Sequence, residues 1–405
     1  MFPDSSGAQP ADAQRPVIGL QEALAKALGE NREIAAFAHR LEEQDGRLVQ
    51  AGLVANPELK LIIEDAAGSG TYSGYQRAQT TLALEWVFEH RIRGRRVAAA
   101  QAGSALLGSD AQMLRLDVAA ETAQRFLTSL ANQVRLASAG EAVSLAEDTV
   151  RSVKRRVEAG KVPSAELLRA EAELARVALA RDDVEHELAS AYHRLAAQWG
   201  ETTPGFERVS GELLTLPRVE PFAALTERIE QNPQLARFVS EARVAKANLL
   251  LAEARRWPTI RPTLGMRHYE VTGDTSLVAE LKIPLPVFSR NQGRVAESRA
   301  ALARTHADAD AARVRVHTAL FEVYEELQHH IHRANTLQDD VFPRLTQALT
   351  ETREGYEKGG YSYLEWRSVQ ADLLAARNAL IEASTGAHRL VIELERLTGQ
   401  RVARR

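Results

Sequence analysis

The chain of 405 residues has no cysteine, only 5% aromatic residues and a formal net charge of −3. Without cysteine it holds neither a disulfide nor a thiolate-bound metal, which leaves the redox compartment open. The near balance of 51 basic and 54 acidic residues gives no electrostatic footprint for nucleic acid, so no nucleic-acid partner is expected. No run of 18 or more apolar residues exists, so no transmembrane helix is expected. The opening Met1-Phe2-Pro3-Asp4-Ser5-Ser6 lacks the basic and apolar regions of a secretory signal. Either the protein is never exported or the chain starts at a mature or trimmed end with the signal peptide absent, and the resemblance given below favours the second. Scarce aromatics beside abundant Ala, Arg, Glu and Leu suit long packed helices better than thick cores.

What is present is a helical period, twice. From Gly94 the residues Leu127, Leu130, Val134 and Ala137, then Ala146, Val150, Val153 and Val157, step by three or four along one face. A turn at Gly160-Lys161-Val162-Pro163-Ser164 follows, and the return leg keeps the step through Leu174, Val177, Val184, Leu188, Leu195 and Trp199. At about 1.5 Å per residue the outgoing leg reaches on the order of 95 Å, more than a globular domain spans. A shift of 199 positions without a gap lays Glu158 on Glu357, Gly160 on Gly359, Glu166 on Glu365, Leu195 on Leu394 and Gly200 on Gly399. The shifted copy keeps its phase in Leu373, Ala376, Leu380, Ala387 and Leu394. Upstream, a shift of 201 lays Asn31 on Asn232, Ala35 on Ala236 and Pro57 on Pro258. The chain is an internal duplication.

Between a medium helix and a very long one, each copy changes period to two. Leu59 and Leu61 alternate with Glu58 and Lys60, and Leu82, Leu84, Trp86 and Phe88 alternate with Thr81, Ala83, Glu85 and Val87. In the second copy Leu264 and Met266 form a weaker alternation, and Leu277, Ala279, Leu281, Ile283 and Leu285 oppose Ser276, Val278, Glu280 and Lys282. Ile62 breaks the pattern. Strands of this length and alternation suit a transmembrane barrel, with Leu59, Leu61, Leu82, Leu84, Trp86, Leu277 and Leu281 facing lipid. Trp86 and Phe88 fit an aromatic girdle, or else a soluble core. Lipid tolerates no open sheet edge, so four strands must be closed by other copies of the chain.

The expected fold class is mainly α with a small β part. An extended lead (1–16) precedes a first repeat (17–200) with strands at about 57–65 and 80–88 and a hairpin at 94–199. An equatorial linker (201–219) leads to a second repeat (220–399), with strands at about 262–271 and 275–285 and a hairpin at 292–398. A tail (400–405) closes the chain.

This ordered duplication, with Ala51-Gly52-Leu53-Val54-Ala55-Asn56-Pro57-Glu58-Leu59 entering the first strand, resembles the TolC family of outer-membrane efflux proteins over about residues 17–399. Gly94-Arg95-Arg96-Val97-Ala98 and Gln292-Gly293-Arg294-Val295-Ala296 open its two long helices. The Asn-Pro-Glu-Leu entry looks most like the CzcC and CusC branch, which serves heavy-metal efflux. The resemblance implies a homotrimer in the outer membrane of a Gram-negative bacterium, with a twelve-stranded transmembrane β-barrel and a periplasmic α-barrel built from the helical hairpins. It implies that the tips Gly160, Lys161, Val162, Pro163 and Ser164, and Gly359, Gly360, Tyr361, Ser362 and Tyr363, meet a periplasmic adaptor (membrane fusion) protein. An inner-membrane RND-type pump would supply the energy. It places Glu365, with its repeat partner Glu166, at a periplasmic gate, and a second family acid falls on Ser368. Glu365 beside Arg367 also fits an ordinary surface pair. The function implied is a passive exit duct in a tripartite efflux system, conducting heavy-metal cations. A drug-efflux or type I protein-secretion channel of the same family stays open, as does a soluble coiled-coil scaffold.

His329-His330-Ile331-His332 offers two imidazoles at i,i+3 and no third ligand, so no metal site is expected and the histidines read as solvated. Gly68-Ser69-Gly70-Thr71-Tyr72-Ser73-Gly74 is neither a phosphate loop nor a nucleophile elbow and reads as an outward loop. No catalytic set or cofactor fingerprint emerges, so an enzyme is not expected and no cofactor is implied.

Overall fold

The computed structural model describes residues 16–89 and 91–400, with the backbone of 403–404. Most of the lead expected at 1–16 and of the tail expected at 400–405 lies outside the described residues. The elements run β1 (Val17–Gly19), α1 (Leu20–Glu30), α2 (Arg32–Gly52), β2 (Glu58–Glu64), β3 (Gln79–Glu85), α3 (Ile92–Glu158), α4 (Ser164–Ala196), β4 (Arg208–Ser210), β5 (Arg218–Val219), α5 (Phe222–Glu227), α6 (Pro233–Ala254), β6 (Arg261–Tyr269), β7 (Thr275–Lys282), α7 (Gln292–Thr336), α8 (Phe342–Lys358), α9 (Tyr363–Thr398) and β8 (Ala403–Arg404). Among the described residues no helix is long and apolar enough to cross a membrane. The chain divides into two compact units, one of Phe37–Ala111 and Gln234–Ala312, the other of the remaining residues.

The first unit holds one antiparallel sheet in the order β2-β3-β6-β7. Its register sets Leu59 beside Leu84, Leu264 and Ala279, and Leu61 beside Leu82, Met266 and Leu277, so four strands pool one apolar face. Leu59 is 69% and Leu277 73% exposed, values that a soluble sheet avoids by covering such a face. The opposite face is polar and cross-linked. Glu85, almost fully buried, pairs with Lys60 on β2 and Arg261 on β6, and Arg267 reaches Thr81 (2.8 Å), Gln79 (3.1 Å) and Glu64 (2.8 Å). Ile62, the residue that breaks the alternation, lies in register with Thr81 on this polar side. β7 ends at Lys282, because Pro284 and Pro286 cannot donate to a ladder. Below the sheet α3 and α6 meet through Arg237 and Asp110 (2.5 Å) and the Ser109 and Ser240 hydroxyls (3.0 Å).

In the second unit each hairpin is helix, turn, helix. Along α3 the buried seam follows Leu127, Leu130, Ala146 and Val153, but Ala137 is exposed and Ser138 takes the inner position. A straight helix drifts by about 20° per heptad, and a small residue gives the period no means to show it. The core packs Phe126, Leu127 and Leu130 against Leu195, Trp199, Phe206 and Ile381. Buried hydroxyls on α3 are satisfied within the helix, Thr122 to the Val118 carbonyl (2.7 Å) and Thr149 to that of Leu145 (2.8 Å). The duplication persists at single bonds. The Asn31 side chain donates to the Gln198 carbonyl (2.9 Å), and Asn232 donates to that of Leu397 (2.6 Å). Residues 201–219 carry β4 and β5, which pair with β1 and β8.

Candidate functional site

The hairpin tips are built by the same backbone device. Gly160 and Gly359 take φ of +68° and +85°, a region that glycine enters without steric cost. The Lys161 N–H reaches back to the Arg156 carbonyl (2.9 Å) and the Gly360 N–H to that of Gly355 (2.8 Å), closing each helix end. Lys161, Pro163 and Ser164 are exposed, as are Gly360, Tyr361 and Ser362, and Val162 is half-buried. Tyr363, expected among the tip contacts, is instead buried (2% exposed). It packs with Tyr356, Trp366, Val153 and Ala170 in an apolar knot just behind the turns, so it supports the tip rather than presenting a surface.

The two acids expected at the gate stand in different surroundings. Glu166 on α4 accepts a hydrogen bond from the Tyr356 hydroxyl on α8 (3.1 Å), which joins the first hairpin to the second. Burial, and next the Glu166 carboxylate, push the Tyr356 hydroxyl up to about 12, so it stays a donor through the physiological range. Glu365 is exposed and caps its own helix, accepting from the Ser362 N–H (2.7 Å) and hydroxyl (2.8 Å) while the Ser362 hydroxyl accepts from the Glu365 N–H (3.3 Å). Those bonds hold the Glu365 carboxyl below the usual carboxylate range. The alternative of a surface pair with Arg367 is not seen among the described residues. Arg367 donates instead to Glu173 on α4 (3.1 Å), whose carboxyl is lowered to about 2, first by Arg176 and then by Arg367.

Three residues beside these were not singled out from sequence. The Arg156 guanidinium lies 4.5 Å over the Tyr356 ring, with its Nε and Nη1 groups buried and without a hydrogen bond. The Tyr356 and Trp366 rings lie 5.1 Å apart, tilted by 31°. The signal available was the repeat itself. Tyr356 and Trp366 fall on Val157 and Leu167, an aromatic excess confined to the second copy.

The histidine cluster divides. His329 and His332 are exposed, whereas His330 presses on Gly386 of α9, where a Cβ would sit 2.4 Å from the ring, so the solvated reading fails for that one residue. Among the described residues no three metal-ligating side chains converge. Gly68–Gly74 contains a short 3-10 turn at Gly70–Tyr72 and is exposed. On the sheet, Leu61, Leu82, Leu84, Trp86 and Leu281 join Leu59 and Leu277 as exposed residues of the apolar face.

Comparison with known proteins agrees with this architecture. The cobalt-zinc-cadmium resistance protein CzcC of Cupriavidus metallidurans is 27% identical over 391 residues, 96% of this chain and 92% of that protein. The nickel-cobalt-cadmium resistance protein NccC of Alcaligenes xylosoxydans xylosoxydans is 26% identical over 315 residues, 75% of this chain and 70% of that protein. Among solved structures, CusC superposes with a TM-score of 0.78 at 16% identity, covering 94% of this chain and 92% of that one. VceC of Vibrio cholerae does so with 0.76 at 18%, covering 94% and 96%. Residues 23–201 and 224–400 match the outer membrane efflux protein family, a family of channels and not of enzymes, and the chain belongs to it.

Proposed function

We propose that this chain is the outer-membrane exit duct of a tripartite system that expels heavy-metal cations. Three copies close their sheets into one twelve-stranded barrel, and the hairpins line a water-filled path whose tips engage a periplasmic adaptor and, through it, an inner-membrane pump of the RND type. The carrying observation is the four-stranded sheet with one bare apolar face and, among the described residues, two unpaired edges, β2 and β7, which lipid and further copies must cover. The metal reading is supported by similarity to CzcC and NccC along most of the chain, and cobalt, zinc and cadmium are the first cations to test. Transport here is passive, with the selectivity supplied by the partners. The gate lies behind the tips, where the Tyr356–Glu166 bond ties the hairpins together and Glu365 stands exposed. Adaptor contact that splays the hairpins breaks this tie.

A deletion strain grown against cobalt, zinc and cadmium salts and, in parallel, against organic toxins tests the assignment. Sensitivity confined to the metals is expected, and sensitivity confined to the organic compounds overturns the metal reading. Substituting Arg for Leu84 on the apolar face tests the barrel. If that face meets lipid near the midplane, assembly weakens by about 2–4 kcal/mol. Unchanged trimer yield in the outer-membrane fraction would reject the face assignment.

A further inference from the structure

The segments that join sheet to helices, residues 52–57, 86–96, 254–260 and 283–294, hold eight arginines and one acid, Glu89, in a chain whose formal net charge is −3. The loops at the other end of the sheet, 65–78 and 270–274, hold one arginine against three acids. Three of the eight are engaged locally. Arg96 donates to the Ala51 (2.9 Å) and Leu53 (2.8 Å) carbonyls and to Glu89 (2.9 Å), Arg93 to the Gly52 carbonyl (2.6 Å), and Arg290 to that of Pro286 (3.2 Å). The side chains of Arg91, Arg95, Arg255, Arg256 and Arg294 are exposed and have no hydrogen bond or ion pair among the described residues.

Two further observations point to what they face. On the strand side of this belt lie bare apolar side chains, with Phe88, Trp257, Leu285 and Phe288 all more than half exposed. Secondly, Arg91, immediately before α3, holds a left-handed backbone (φ +63°), as does Asn291 (φ +57°) immediately before α7. Asparagine tolerates that region, and Asn291 anchors it by donating to the Ala252 carbonyl (2.7 Å). Arginine has no such compensation. Large apolar groups followed at once by unpaired guanidinium groups, at the start of both long helices, match a boundary where hydrocarbon gives way to phosphate.

We infer that this belt binds anionic phospholipid headgroups on the helix side of the membrane, an inference that rests on the barrel reading above. Guanidinium pairs with phosphate through two parallel hydrogen bonds, and the surplus of positive charge favours lipids with net negative charge over zwitterionic ones. The acidic loop end offers no such attraction, so the belt also fixes which way the sheet faces.

The test uses the full chain purified in detergent and presented to vesicles of phosphatidylcholine alone or mixed with phosphatidylglycerol, with incorporation read by flotation. Incorporation into the mixed vesicles is expected to exceed that into phosphatidylcholine by about tenfold or more, and the excess should fall as salt screens it. Replacing the five unpaired arginines by Gln should bring the ratio close to one, whereas replacing them by Lys should keep most of it. Inorganic phosphate added at low millimolar concentration should not compete. Equal entry of the wild type into both vesicles, an excess indifferent to salt, or a Gln variant that keeps the excess overturns the inference alone. Entry into neither vesicle overturns the barrel reading and this inference with it. If the Gln variant does not fold, the salt dependence of the wild type decides.

Discussion

The two hairpins share a turn, a length and an ancestry, yet they differ in helix continuity and in how their return helices begin. α3 runs 67 residues without interruption, while its counterpart breaks between α7 and α8 into a π-helical turn at Leu337–Val341, with the Phe342 N–H bonded to the Leu337 carbonyl. Pro343 follows at once. Its missing N–H and bulky ring oppose an α-turn there, and a wider turn relieves both. The matching stretch of α3, 138–144, has no proline. At the tips, α4 starts after Pro163 without a side-chain cap, whereas α9 starts on the Ser362 and Glu365 capping box. Duplication thus supplied two equal frames, and divergence left one outgoing helix continuous and interrupted the other with a π-turn.

The sharpest way to break this comparison is at the knot behind the tips, to which the second hairpin contributes the aromatic bulk. Trp366 is 1% exposed, and its counterpart Leu167 is half-buried. Trp366→Ala should lower stability by about 3–5 kcal/mol, and Leu167→Ala by clearly less. Thermal unfolding of the two variants decides the point, and equal losses would mean that the hairpins share the knot evenly. Next in size, Gly160→Val and Gly359→Val each force a β-branched residue into a left-handed turn, at about 1–3 kcal/mol each. Here the costs should match, because the turns do. Unequal losses would show that the two frames had diverged in backbone as well as in side chains.

How much of this was readable from the residues alone follows from the same contrast. Features fixed by backbone and period were legible: the glycine turns, the alternation of the strands, and the Asn31 and Asn232 positions whose bonds the structure repeats. Features that depend on which helix lies beside which were not. The π-helical turn left no trace in an alignment without gaps, since it changes the path of the chain and not its length. The buried face of α9 is widened by small residues, Ala383, Ser384 and Gly386, that carry little periodic signal. Arg156 and Tyr356 sit on different hairpins, 200 positions apart, and only the fold brings them together.

The link between the hairpins gives a smaller effect. Tyr356→Phe removes the donor to Glu166 and should cost about 0.5–1.5 kcal/mol. Stability alone would not distinguish a structural bond from a gate. Single-channel conductance does: the variant should open more often than the wild type, and unchanged conductance with a lowered melting point would make the bond a mere fastener.

The smallest effect separates the two tips by pH. Because the folded Glu365 carboxyl is held below its ordinary value by Ser362, its stabilisation is fully present above the usual carboxylate range and is lost as pH falls through the lowered value. The first tip has no side-chain cap to lose. Amide exchange in Tyr363–Trp366 should therefore quicken in acid relative to the first turn of α4. Ser362→Ala should remove the difference by quickening exchange already at neutral pH. If both tips respond to acid alike, the capping box is not what sets the second hairpin apart, and the asymmetry between the hairpins reduces to the knot and the proline behind it.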